Sequence, residues 1–191
     1  MHEEHCSLTY RLKTLLRRFP KLYLFLIYTI SPMCFGGISP QKFLKRFQKD
    51  AVLYNIGSGV HRFPGVKNVD IEEQAGIDIV ADAMNMPFND NSTDGVICEM
   101  LIEHVPQPQK VVDEILRILK PGGTAYISCP FVFPFHACPN DYYRWSSTGL
   151  RELCKEGDIE TIGARAGPSS ALTAQLITWF AILLSFGSNT L

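Results

Sequence analysis

Ala51-Val52-Leu53-Tyr54-Asn55-Ile56-Gly57-Ser58-Gly59 runs through Val60-His61-Arg62-Phe63-Pro64-Gly65 into Val66-Lys67-Asn68-Val69-Asp70. How its two apolar runs pair decides the fold. Val52–Ile56 and Val66–Asp70 read as short buried strands flanked by turn residues. If they are parallel, their C-terminal ends lie together, and Gly57, Gly59 and Asp70 share one edge of a sheet. If Arg62-Phe63-Pro64-Gly65 closes a β-hairpin, Asp70 lies at the far end. Only Val60 to Gly65 separates Gly59 from Val66, whereas a parallel connection normally takes a dozen residues or more. The parallel reading, with a shortened crossover, is preferred because it gives the acids further along the chain a common purpose.

Those acids follow in order. Further strands are expected at Ile77–Ala81, Gly95–Glu99 and Thr124–Cys129. Asp82 follows the third strand and Glu99 ends the fourth. Val105 to Leu119 carries Val111, Val112, Ile115, Leu116, Ile118 and Leu119 at helical spacing, with Glu114, Arg117 and Lys120 on the other face. Pro121-Gly122-Gly123 is expected to end that helix and turn into the fifth strand. A later helix is expected over Ser147–Lys155, capped by Ser146 or Ser147, and Ile159–Ala164 reads as one more strand. Strands alternating with helical stretches indicate an α/β domain over 51–165. Ligands of such sheets bind outside the carboxyl ends of the strands, where a Gly-x-Gly turn lets backbone come close and an acid can accept from ribose hydroxyls.

Outside this domain, residues 1–50 read as an N-terminal helical segment and 166–191 as a C-terminal apolar helix. A basic helix is expected over 7–19 and an apolar one over 22–31. A linker at Pro32, Gly36, Gly37 and Pro40 comes next, then a short helix capped by Ser39 and running to about Gln48. The apolar stretches Leu22–Phe35 and Ala171–Phe186 are too short to span a bilayer. They read either as helices packed on the domain or, through 11–35 and 171–187, as a peripheral contact with a membrane surface. Arg17, Arg18 and Lys21 supply basic charge for the second reading.

The chain has 191 residues, 18 Lys plus Arg and 19 Asp plus Glu, for a net charge of −1. That balance gives no electrostatic case for a nucleic-acid partner. The six cysteines form no CxxC pair, which suits reduced thiols in a cytoplasmic protein and yields no metal-ligand pattern.

Several segments together resemble the class I S-adenosylmethionine-dependent methyltransferases: Asn55-Ile56-Gly57-Ser58-Gly59, Asn68-Val69-Asp70-Ile71 and Ala81-Asp82-Ala83-Met84-Asn85-Met86-Pro87-Phe88. Thr93-Asp94-Gly95-Val96-Ile97, Leu101-Ile102-Glu103-His104-Val105 and Leu119-Lys120-Pro121-Gly122-Gly123 complete the set. The likeness covers about Ala51 to Gly149 and looks closest to small bacterial enzymes of the type 11 group, often tied to glycan or cell-envelope chemistry. It implies a Rossmann-like three-layer α-β-α sandwich with a mostly parallel sheet. It also implies S-adenosylmethionine as cofactor, with Asn55, Gly57, Gly59, Asp70, Ile71, Asp82, Ala83, Met84 and Glu99 at the cofactor. Gly57 and Gly59 would lie under the methionine part, Asp70 at the ribose, Asp82 and Ala83 at adenine with Met84 on the ring, and Glu99 with Met100 at the methionine end. Asn55 stands where the family commonly has an acid, and His61 where it has a third glycine. The family closes its sheet with an antiparallel hairpin, of which Ile159–Ala164 supplies only one strand.

Beyond the fifth strand, Cys129 to Trp145 is rich in aromatics, and similar His-x-x-Pro-x-Asp-Tyr-x-Arg segments occur in the same group. His136 is the candidate general base, with Asp141 orienting it or the substrate, and His104 is the rival base. The alternative is a structural lid in which Asp141 pairs with Arg144. The expected activity is methyl transfer to oxygen or nitrogen of a small-molecule or glycan acceptor. A methyltransferase-fold binding or scaffold protein is the other reading, motivated by Asn55, His61 and the little sequence left after residue 164. A nicotinamide oxidoreductase is disfavoured by the absence of Gly-x-Gly-x-x-Gly.

Overall fold

The computed structural model describes residues 38–137, 139–165 and 168–184. The expected helices at 7–19 and 22–31 lie outside these residues. The described residues fall into two compact units. One holds 38–131 and 135–163, and the other holds 132–134 and the C-terminal helix.

The first unit is built on five strands: β1 Leu53–Ile56, β2 Lys67–Asp70, β3 Ile79–Val80, β4 Thr93–Glu99 and β5 Leu119–Ser128. Their order is β3-β2-β1-β4-β5, and all four pairings are parallel. The expected α/β sheet is therefore present, and β1 and β2 pair as Tyr54↔Lys67, Asn55↔Asn68 and Ile56↔Val69. Each of these strands has four residues, so the return path is only about 13 Å. The ten residues 57–66 between them reach roughly 33 Å when extended. Strand shortness is what makes a crossover without a helix feasible.

The crossover helix from β4 to β5, α2 (Pro108–Ile118), buries Val111, Val112, Ile115 and Ile118. It packs on the face that presents Tyr54, Ile56, Val69, Val96 and Cys98. The four buried aliphatic side chains of α2 are each worth about 1.5–3 kcal/mol relative to exposure. On the same face Tyr54 stacks on Phe88, with ring centroids 4.2 Å apart. A short helix, α1 (Pro40–Leu44), is capped by the Ser39 hydroxyl, which accepts from Lys42 N at 3.2 Å. Phe43 of α1 meets Tyr126 of β5 at 5.8 Å. Phe47 fills the space in front of Gly95, where a Cβ would lie 2.5 Å from its ring. The helix α3 (Ser147–Leu153) is capped by Ser146, whose hydroxyl accepts from Gly149 N.

Three expectations are corrected. Pro121-Gly122-Gly123 does not cap α2: Leu119 is already extended and pairs with Thr93. The tripeptide instead forms the irregularity before Thr124 joins Gly95, with Gly122 at φ +80. The helix begun at Pro40 stops at Leu44 rather than near Gln48. Ile159–Ala164 forms no strand. It finds no ladder beyond β5 among the described residues, and Glu160 is instead drawn to Arg46 at 2.8 Å.

In the second unit, α4 (Pro168–Leu184) has Leu172, Leu176, Trp179 and Leu183 exposed. Their spacing of four, three and four residues puts them on one stripe of the helix. No helix among the described residues is long and apolar enough to cross a membrane.

Candidate functional site at the carboxyl edge of the sheet

Because the sheet is wholly parallel, the loops after β1, β2, β3, β4 and β5 gather at one edge. Gly57 turns out of β1 at φ +63, and a Cβ there would lie 2.6 Å from Leu101 Cδ1, in the loop after β4. Both the left-handed backbone and the neighbour require glycine. Gly59, at φ +51, has nothing within 4 Å of where a Cβ would stand. Its amide donates to Asp70 Oδ2 at 2.8 Å, and Asp70 Oδ1 accepts from Glu72 N at 3.2 Å. Asp70 thus ties the turn after β1 to the end of β2 and keeps lone pairs to spare. Val60 and Ile71, beside these two positions, are 78% and 64% exposed.

A buried polar ladder replaces the missing helix. Asn55, 2% exposed, donates from Nδ2 to the His61 carbonyl at 3.1 Å and to Asn68 Oδ1 at 3.2 Å. Asn68 in turn donates from its backbone (2.7 Å) and side-chain amide (3.2 Å) to Asp78 Oδ2. Arg62 reaches over the loop, donating to the carbonyls of Gly59 (2.8 Å), His61 (2.9 Å) and Ala75 (3.1 Å). Asn55 is therefore occupied within the loop rather than turned to the rim.

After β3, Asp82 Oδ1 accepts from Met84 N at 2.8 Å. Ala83 is buried and Met84 packs against the core. Helix α2 holds this loop in place: Glu114 accepts from Met86 N, and Arg117 donates to the carbonyls of Phe88 and Met86. The Arg117 hydrogen bonds also hold the Glu114 carboxyl below the usual range. Glu99 ends β4 opposite Ser128. Met100 follows at φ +54, a conformation uncommon for a side chain of its size, and is 37% exposed.

The chain leaving β5 folds back on the loop after β4. Tyr142 N and Tyr143 N both donate to the Glu103 carbonyl, and Tyr143 Oη donates to the Pro106 carbonyl at 3.0 Å. This docking brings His104, His136 and Asp141 together. The two imidazoles meet edge to face with centroids 4.8 Å apart. Asp141 Oδ2 lies 3.4 Å from His136 Nδ1 and accepts from His136 N at 2.9 Å. Arg144 grips the same carboxylate with both terminal nitrogens, at 2.5 and 2.7 Å. That pairing, then the bond from His136 N, holds the Asp141 carboxyl well below the ordinary carboxylate range.

Glu103 is the residue the sequence reading quoted but gave no role. It is fully buried, and burial pushes its carboxyl above the usual value. An acid between Ile102 and His104 in an apolar run was the available signal. Arg62, Asn68 and Asp78 were also missed, since a ladder between side chains and carbonyls leaves no periodic trace.

Comparison with known proteins agrees with this architecture. A family model described as "Methyltransferase domain" matches residues 41–127. A demethylmenaquinone methyltransferase of Clavibacter sepedonicus is 42% identical over 74 residues, covering 37% of this chain and 30% of that protein. A ubiquinone/menaquinone biosynthesis C-methyltransferase of a Ruegeria species is 37% identical over 79 residues, 40% of this chain and 30% of that one. These matches span about a third of the relatives' length. Among solved structures, BH2331 of Bacillus halodurans, described as a methyltransferase, superposes with a TM-score of 0.51 at 18% identity, over 61% of this chain and 66% of that one. Over residues 41–127 the chain is thus similar in sequence to methyltransferases, and its strand order is that of their fold.

Proposed function

We propose that this chain binds S-adenosylmethionine at the carboxyl edge of its sheet and transfers the methyl group to oxygen or nitrogen of a small-molecule or glycan acceptor. The observation that supports this best is the Asp70–Gly59 contact, beside open space where a side chain on Gly59 would stand. A cradle of that shape suits a ligand lying across the glycine turn. Asp70 would accept from the ribose hydroxyls, Asp82 and the backbone at Ala83 would face adenine, with Met84 and Ile71 flanking it, and Glu99 would face the ammonium. When bound, the cofactor supplies an electrophilic methyl on a sulfonium. The protein's part is to align the acceptor with it and to exclude water.

On the acceptor side, His136 is the candidate proton acceptor, with Asp141 orienting it or the substrate and His104 as the rival. The family match ends at residue 127, so the relatives' quinone-type acceptors say nothing about the segment from Cys129 to Trp145. Equilibrium dialysis with methyl-labelled S-adenosylmethionine tests the reading. It calls for saturable uptake that the demethylated product displaces.

A second reading is favoured by one observation. Asn55 is neutral and is held inside the loop through its amide nitrogen, so that position brings no charge to the cofactor's ammonium. A protein that binds the nucleoside part without transferring methyl would show uptake but no turnover with any acceptor extract. The exposed stripe Leu172, Leu176, Trp179 and Leu183 on α4 supports a peripheral contact of that segment with an apolar surface.

A further inference from the structure

Glu103 presents a problem that methyl transfer does not solve. Its side chain is wholly buried, and neither carboxylate oxygen has a hydrogen-bond partner. Burying such a group unpaired costs several kcal/mol, and in proteins the cost is met by neutralisation, an ion pair or a metal. Two imidazole nitrogens lie near its Oε1, His104 Nε2 at 3.8 Å and His136 Nε2 at 4.0 Å. One ligand atom from each of the three residues lies within 4.8 Å of the other two.

The imidazoles are oriented from behind. His104 Nδ1 lies 2.5 Å from the Asn140 carbonyl. A carbonyl only accepts, so Nδ1 carries the proton, and Nε2 of the neutral ring turns its lone pair toward Glu103. His136 Nδ1 faces Asp141 Oδ2 at 3.4 Å. Arg144 Nη2 is also 3.4 Å from that nitrogen, but its stronger bonds go to Asp141, which it keeps as a carboxylate. For His104, a carbonyl behind Nδ1 with Nε2 directed inward is the outer-shell arrangement of metal-ligating histidines, and the carboxylate 3.4 Å from His136 Nδ1 stands in the corresponding place.

We propose that Glu103, His104 and His136 bind one divalent transition ion of the zinc class, through Glu103 Oε1 and the two Nε2 atoms. Two histidines and a carboxylate leave a fourth position open, the composition of a catalytic rather than a structural zinc site. Ligand atoms around such an ion lie about 3.3 Å apart, so the three side chains close by roughly 0.5–1.5 Å on binding. His136, 24% exposed at its side chain, gives the ion a way in. The ion relieves the unpaired Glu103 carboxylate directly. An acceptor hydroxyl at the open position would lose its proton to solvent more readily, and His136 would then serve as a ligand in place of a base. The chemical consequence rests on the acceptor lying beside this cluster, whereas the ion's binding does not depend on the cofactor reading.

The test uses the full chain stripped with a chelator and titrated with Zn(II) by calorimetry and with Co(II) by visible absorption. The expected result is one equivalent bound, with the intense bands of a four-coordinate Co(II) site. Glu103→Gln and His136→Gln should each weaken binding by at least about tenfold. If Glu103→Gln fails to fold, His136→Gln, at a partly exposed position, carries the test. No uptake by the wild type at millimolar metal would overturn the proposal, as would uptake that both folded variants leave unchanged. S-adenosylmethionine titrated into the same stripped chain reports separately on the cofactor reading.

Discussion

Asn55 and Asn68 face each other across β1 and β2, and the amide of one donates to the carbonyl oxygen of the other at 3.2 Å. The direction of that bond is fixed from outside the pair. Asp78 is a carboxylate that only accepts, so Asn68 must turn its NH2 toward it and its oxygen toward Asn55. Position 55 then meets two acceptors, Asn68 Oδ1 and the His61 carbonyl. The side chain there has to donate twice, which asparagine does and aspartate cannot. The departure from the family's acid is thus part of how this chain holds a crossover that has no helix.

Restoring the family's acid should therefore harm the fold. Asn55→Asp would bury a charge against two acceptors and is expected to lower stability by about 1–3 kcal/mol, read by urea unfolding. A variant as stable as the wild type would remove the ladder from the account.

The two loop glycines should separate stability from binding. Gly57→Ala meets Leu101 as well as a left-handed backbone and should lose at least about 1–2 kcal/mol. Gly59→Ala has room for its methyl group but shares the left-handed backbone at φ +51, so it should lose only about 1 kcal/mol, less than Gly57→Ala, while losing cofactor affinity. Equal affinity in Gly59→Ala and wild type would mean that no ligand lies over that turn.

In chelator, Glu103 and Asp141 should shape the pH profile with opposite signs. The folded-state value of Glu103 is raised by burial, so its contribution is complete below the unfolded value of about 4.3. It is lost as pH rises through the folded value. The value of Asp141 is depressed by Arg144, so its contribution is present above about 3.9 and lost as pH falls further. Thermal melts between pH 4.5 and 8 should show Glu103→Gln gaining on the wild type as pH rises. Parallel curves would show that Glu103 is not held in its neutral form.

His136→Ala should cut methyl transfer by about 10²–10⁴ while sparing cofactor affinity, once an acceptor is in hand. An unchanged rate would refute any part for His136 at the acceptor, as base or as ligand.

Much of the sheet was legible because buried parallel strands write themselves as short apolar runs. Leu53–Ile56, Lys67–Asp70 and Thr93–Glu99 were found to within a residue or two. The turn at Pro121-Gly122-Gly123 was misread because glycine after a helix looks like a cap, and only the register with Thr93 shows that the strand had already begun. Ile159–Ala164 could be read as one more strand, but a short segment says nothing about whether a partner is available. In the site, Gly57 and Asp70 could be read from position alone. The two-donor requirement at Asn55 could not, since it depends on Asn68 and Asp78 being across the sheet. Nor could the meeting of Glu103 with His136, which joins loops after two different strands.

The central claim is that Asp70, bonded to Gly59, closes a cofactor site at the end of β2. Calorimetric titration of the wild type and Asp70→Ala with S-adenosylmethionine tests it most directly. The account predicts one site in the wild type and a loss of roughly tenfold or more in the variant, the worth of a charge-assisted hydrogen bond. No binding by the wild type at millimolar cofactor, or equal affinity in the two proteins, would contradict it.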